Sequence, residues 1–197
     1  MSVHRPVHDV YARAAGAIAV SLCPEEALSY LARIYNTLVV FEPPEILFGY
    51  ADRLIIHSLG FPDQAPVRLL CDQLLQEFGF CPDTFPALAI QGLATIASIF
   101  EYDADRFEDD CAAHGYKDPL HVCQREWGRV GMPAWGIKLA DTYFLNTPLY
   151  DILPPPKVGN GGFWLPQSPA QLRSFDVALK RDMEEVFLGG EIGSEDA

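Results

Sequence analysis

The chain has 197 residues, 49% hydrophobic and 21% charged, which suits one compact domain with a real core and excludes wholesale disorder. Its 27 acidic residues outnumber 14 basic ones, for a net charge of −13 with no basic run. Lys and Arg must neutralise phosphates when nucleic acid is bound, so direct binding to DNA or RNA, or to an anionic membrane, is disfavoured, while a basic protein partner is electrostatically easy.

No apolar run reaches the roughly 18 residues that span a bilayer. "AGAIAVSL" (15–22) lacks the basic flank and cleavage pattern of a signal peptide, so the chain reads as soluble and cytoplasmic. Pro24, with Glu25 and Glu26 behind it, opens the first expected helix, "CPEEALSYLARIYNTLVV", in which Leu28, Leu31, Ile34, Tyr35 and Leu38 recur at three and four. "NTLVVF" (36–41) has the composition of one short strand, but no alternating run or hairpin signal supports a sheet. Pro44 and Glu45 open a second helix, "EPPEILFGYADRLIIHSLG", with His57 near its end as a cap or buried histidine. Leu69, Leu70, Leu74 and Phe78 space a third. "FPALAIQGLATIASIF" (85–100) is apolar almost throughout and reads as a central buried helix. Asp103 is then a fitting N-cap for a short acidic helix.

Further prolines open "KDPLHVCQREWG", with Asp118 as cap before Pro119, and "GMPAWGIKLADTYFL", with Pro133. "SPAQLRSFDVALKRDMEEVFLGG" closes the series: Ser168 caps, Gln171 holds the capping-box position, and Gly189 ends the helix. The expected fold class is all-α, one compact bundle of about eight or nine helices. Residues 1–146 form its core domain, 147–168 a proline/glycine-rich arm, 169–189 a C-terminal helix packed on the core, and 190–197 an acidic tail. The arm cannot be helical through its middle, since 147–169 hold six prolines and three glycines. Its aromatics, Tyr150, Phe163 and Trp164, either clasp their own domain or contact a partner.

The densest chemistry is "EYDADRFEDDC" (101–111), six carboxylates around Arg106. As a calcium loop it fails: Phe107 stands where a third oxygen ligand belongs and Glu108 where the turn glycine belongs. As a helix it turns Ala104, Phe107 and Cys111 inward and leaves Asp105, Glu108 and Asp109 as an outward ridge, either a solvated face or a docking surface. Cys111, His114, His121 and Cys123 are zinc-type ligands at poor spacing, and His114 with Gly115 closes a helix more naturally. Cys23, Cys71, Cys81, Cys111 and Cys123, odd in number and scattered, read as reduced thiols. There is no Gly-x-Ser-x-Gly elbow, and "GNGGF" (159–163) follows prolines and lacks the lysine of a phosphate loop. Trp127, Trp135 and Trp164 suit core packing better than a ligand pocket.

Two stretches resemble HDOD domains. In 30–60, Arg33, Asn36, Thr37, Ile46, Leu59 and Gly60 stand where that family has an Arg-x-x-Asn-Ser-type stretch and a helix ending in Leu-Gly. In 115–135, His121, Val122, Trp127 and Pro133 are similar to its later histidine-valine turn and Trp-x-x-x-x-Pro. Ala94 and Thr95 occupy the places of the His-Asp pair, so the resemblance implies a metal-free helical domain used in regulation or protein contact.

The expectation is therefore a non-catalytic, acidic regulatory or adaptor protein with no cofactor, no bound metal and no catalytic residue. It binds a protein with a basic surface through Asp105, Glu108, Asp109, Tyr150, Phe163 and Trp164. The alternatives are an inhibitor whose acidic ridge occupies a basic nucleic-acid-binding cleft, and a helical enzyme with a small-molecule site. The sequence leaves the oligomeric state open.

Overall fold

The computed structural model describes residues 17–40, 45–48, 52–61, 63, 65–77, 79–116, 134–152, 154, 162–166, 173–174, 177–178 and 180–181. In chain order these form β1 (Ala17–Leu22), α1 (Pro24–Leu31), β2 (Thr37–Val40), a 3-10 turn (Glu45–Phe48) and β3 (Arg53–Ser58). Then come α2 (Ala65–Glu77), β4 (Ala89–Glu101), α3 (Ala104–Asp109), α4 (Cys111–His114), β5 (Trp135–Leu149) and β6 (Phe163–Trp164). The strands make one six-stranded sheet in the order β2-β5-β4-β3-β1-β6. β1 and β3 run parallel, and every other neighbouring pair is antiparallel.

This overturns the all-α expectation, and the reason is burial on both sides of the sheet. Successive side chains on a strand point to opposite faces, and here both faces meet a core. Ile18, Val20 and Leu22 of β1 join Leu54, Ile56, Leu38, Ile137 and Leu139 beneath Ala27, Tyr30 and Leu31 of α1. Ala17 and Ala19 turn the other way, to Ile55, Ile90, Leu93, Leu145, Ile152 and Trp164. A strand buried on both faces shows a continuous apolar run, which periodicity alone cannot tell from a buried helix. That holds for the first half of β4, which residues 89–101 form: 89–94 are buried on both faces, and the strand then runs on into half-buried and exposed positions. "RLIIHS" is β3 rather than a helix end, and "WGIKLADTYFLNTPL" is β5 rather than a proline-opened helix.

β4 pairs with β5 through three register shifts, so the pair bends as it runs. At Gly92 the β5 backbone comes so close that a Cβ would collide with the Tyr143 carbonyl oxygen. β5 continues past residue 146 to Leu149, and the two residues of β6 pair with Ala19 and Val20 at the edge of β1. Alternation sends Phe163 into the first core and Trp164 into the second.

Among the described residues, helices are fewer and shorter than expected. α1 does begin at Pro24 with Glu25 and Glu26 in its first turn. α2 forms too, but its buried side chains are Cys71 and Leu75, packed on Leu28 and Phe85, while Leu69 and Leu74 are exposed. Residues 173–174, 177–178 and 180–181 are helical, and the rest of the expected 169–189 helix lies outside the described residues. The expected helix at 118–128 and the ligand candidates His121 and Cys123 lie outside the described residues. The HDOD-type helical resemblance has no counterpart in this architecture: Thr37 starts β2, and Ala94 and Thr95 lie within β4.

Candidate functional sites

The acidic segment folds into two short helices. Asp103, in extended conformation, caps α3, its Oδ1 accepting from the Arg106 backbone N–H at 2.8 Å. Phe107 is fully buried against Tyr102, 5.1 Å between centroids, and stacked on His114 at 4.4 Å. His114 is itself committed to the fold. The Tyr116 backbone N–H donates to its Nδ1 (3.1 Å), which leaves the proton on Nε2 to donate to the Phe107 carbonyl (2.9 Å). Both ring nitrogens are thus used, which removes His114 as a metal ligand, and no cluster of three metal-type side chains occurs among the described residues. α4 then ends at Gly115, whose φ of 78° is left-handed and whose missing side chain makes room for the Tyr35 ring.

With Phe107 locked inward, Asp105, Glu108 and Asp109 all face solvent. Arg106 does not neutralise them. Its guanidinium lies 3.6 Å over the Phe100 ring, and its Nε sits 3.7 Å from Asp110. The ridge predicted from spacing is present, on a helix whose other side is fixed by aromatic packing.

The arm residues separate. Tyr150 is exposed, whereas Phe163 and Trp164 are buried in their own domain's two cores. The described part of the arm is therefore a strap held by its aromatics, and those two side chains contribute nothing to an open surface.

A second arrangement was not visible in the sequence. The parallel register of β1 and β3 sets Ser21 beside His57, with Ser21 Oγ 3.1 Å from His57 Nδ1. The Trp164 indole N–H donates to the same hydroxyl at 2.9 Å, and its ring stands edge-on to the imidazole at 5.9 Å. His57 is 1% exposed, and its Nε2 is a buried atom with no hydrogen-bond partner among the described residues. Burial pushes the imidazole pKa down from 6.5 to about 4, so it is neutral near pH 7. The pair has the spacing of a nucleophile and base, but a base titrating near 4 is weak, and no carboxylate among the described residues bonds the far nitrogen. The cluster reads as a polar clasp fastening the strap. Nothing local in the sequence announces it, because its three members lie 36 and 143 residues apart.

The thiols are quiet where buried. Cys23 donates its S–H to Glu26 Oε2 at 2.9 Å, and burial raises its pKa far above the usual thiol range. Burial pushes Cys71 up to about 12. Cys81 is exposed and Cys111 half-buried, and all four are free.

No protein-family model matches the chain, and no curated protein does. Solved structures do. A serine-to-alanine variant of the ASCH protein from Zymomonas mobilis superposes with a TM-score of 0.53 at 14% identity, covering 83% of this chain and 96% of that one. The unmodified ASCH protein gives 0.51 at 12%, covering 81% and 93%, and a tyrosine-to-phenylalanine variant gives 0.53 at 12%, covering 83% and 98%. The fold is ASCH-like. This sheet-dominated architecture, as in the ASCH structures, replaces the HDOD-type helical resemblance, and at such identities the likeness establishes fold alone.

Proposed function

We propose that this chain is a non-catalytic, acidic binding protein of the cytoplasm that docks a basic surface of another protein through Asp105, Glu108 and Asp109. The observation that carries this reading is the pairing of exposure with rigidity. Three carboxylates point outward from a helix pinned by Phe107, while Arg106, the one cation within the segment 101–111, is turned onto Phe100 and Asp110. The segment 101–110 thereby carries six acidic residues against one basic residue, a local charge of −5. Such a patch attracts a cationic surface over about 8 Å at physiological ionic strength, and the helix backbone that carries it is already ordered by the burial of Phe107. Four free cysteines, two of them held protonated, fit a reducing compartment. Among the described residues, no helix is long and apolar enough to cross a membrane.

Paired capture from native cells tests the proposal. Wild type and a variant carrying Asp105→Lys, Glu108→Lys and Asp109→Lys serve as baits side by side, with folding of both checked by circular dichroism. Basic proteins retained by wild type and lost by the variant are expected. An identical set on both baits would refute the ridge as the docking surface.

A further inference from the structure

At the opposite end of the 13-residue strand β4 from the acidic ridge lies an apolar shelf. Leu88 is 56% exposed, Leu59 41% and Phe80 37%. They are joined by a path of contacts that runs through Gly60, Phe61 and Phe85. The Leu88 N–H reaches the Leu59 carbonyl, Leu88 lies against Gly60, and Phe80 and Phe61 both pack on the Phe85 ring.

The shelf is held in place rather than loose. Phe80 N–H bonds to the Leu75 carbonyl at the end of α2, Thr84 N–H to the Cys81 carbonyl, and buried Gln91 donates to the Pro86 carbonyl. Leu88 is kept at φ 58°, a left-handed conformation that costs a leucine energy and that Gly or Asn would adopt more easily. The strained leucine keeps more than half of its surface in water, 56%, so packing on Gly60 recovers only part of what its burial could contribute.

Charge selects the occupant. Residues 59–88 contain Asp63, Asp72, Glu77 and Asp83 against Arg68 alone. Arg68 is occupied, 3.6 Å over the Phe61 ring and 2.6 Å from Asp72, while Asp63, Glu77 and Asp83, in the same stretch of chain as the shelf, are exposed. An apolar centre with an acidic rim complements an amphipathic helix whose apolar face is flanked by Lys or Arg. We infer that Leu59, Phe80 and Leu88 form a second docking site, one that takes a basic amphipathic helix of a partner protein.

Fluorescence anisotropy with the full chain and three labelled peptides of equal length tests this. The first is a helix with leucines on one face and lysines on the other, the second has glutamates in place of the lysines, and the third keeps the lysines with serines for leucines. The first peptide binds saturably, and the other two bind at least about tenfold more weakly. Leu59→Ser with Leu88→Asn weakens the first peptide at least about tenfold. Leu88→Asn alone weakens it while leaving Tm unchanged or higher, since asparagine tolerates the left-handed backbone. The ridge reversal at Asp105, Glu108 and Asp109 leaves this binding unchanged, which separates the shelf from the ridge. Equal binding of the lysine-serine peptide, equal binding of the glutamate peptide, or retention of binding by the double variant overturns the inference. So does a dimer in sedimentation that the double variant dissolves, because the occupant would then be a second copy of this chain.

Discussion

Replacing His57 by glutamine should flatten the acid side of the stability profile. In the folded protein the imidazole is surrounded by Ser21, Trp164 and apolar neighbours, and its pKa drops to about 4. Unfolded, it titrates near 6.5. The folded pKa is the lower one, so between 6.5 and 4 the unfolded chain binds the extra proton. Stability from this group is complete above about 6.5, falls as pH drops through that window and levels off below about 4. Linkage puts the loss at about 2 kcal/mol at pH 5 and about 3 kcal/mol at pH 4. Urea denaturation of wild type and His57→Gln at pH 7, 5 and 4 measures it, because carboxylate titrations common to both proteins cancel in the difference. The gap between the two proteins should shift in favour of the variant by those amounts as pH falls. Parallel profiles would mean that His57 is solvated or partnered in solution, and the description of the clasp would be wrong.

Other substitutions probe the same packing. Trp164→Phe keeps most of the buried ring but removes the N–H donated to Ser21, and should cost about 1 kcal/mol in chemical denaturation. No loss would show that the bond does not form. Asp103→Ala removes the α3 cap and should also cost about 1 kcal/mol, seen as a lower Tm, with glycine closer to wild type. Among the four described cysteines, Cys81 should react first with a thiol reagent in the native state, and Cys71 and Cys23 only on unfolding. Fast labelling that survives Cys81→Ser, mapped to Cys71, would contradict the burial described.

Local signals in the sequence held where local physics decides structure. Pro24 does open α1, Asp103 does cap α3, and Gly115 does close α4, because each acts within one turn. "NTLVVF" does contain a strand, β2. The sheet itself was not legible. β1, β3 and the first half of β4 are covered on both faces, so the alternation that marks a strand was absent from those stretches. In α2 the helix was readable but its inward face was not: Cys71 and Leu75, rather than Leu69 and Leu74, meet the core. The acidic ridge could be derived because it depends on i, i+3, i+4 spacing within one helix. Ser21, His57 and Trp164 come together only through strand register across the sheet, and single-sequence spacing carries no record of that.

The proposed docking rests most directly on an association rate. With a basic partner in hand, stopped-flow or surface-based kinetics of wild type and the Asp105→Lys, Glu108→Lys, Asp109→Lys variant at low and physiological salt measure it. Electrostatic steering by an exposed acidic ridge predicts association several-fold slower for the variant, a wild-type rate that falls as salt rises, and smaller changes in dissociation. Equal association rates for the two proteins at both salt concentrations would contradict it and leave residues 101–110 as a solvated helix surface.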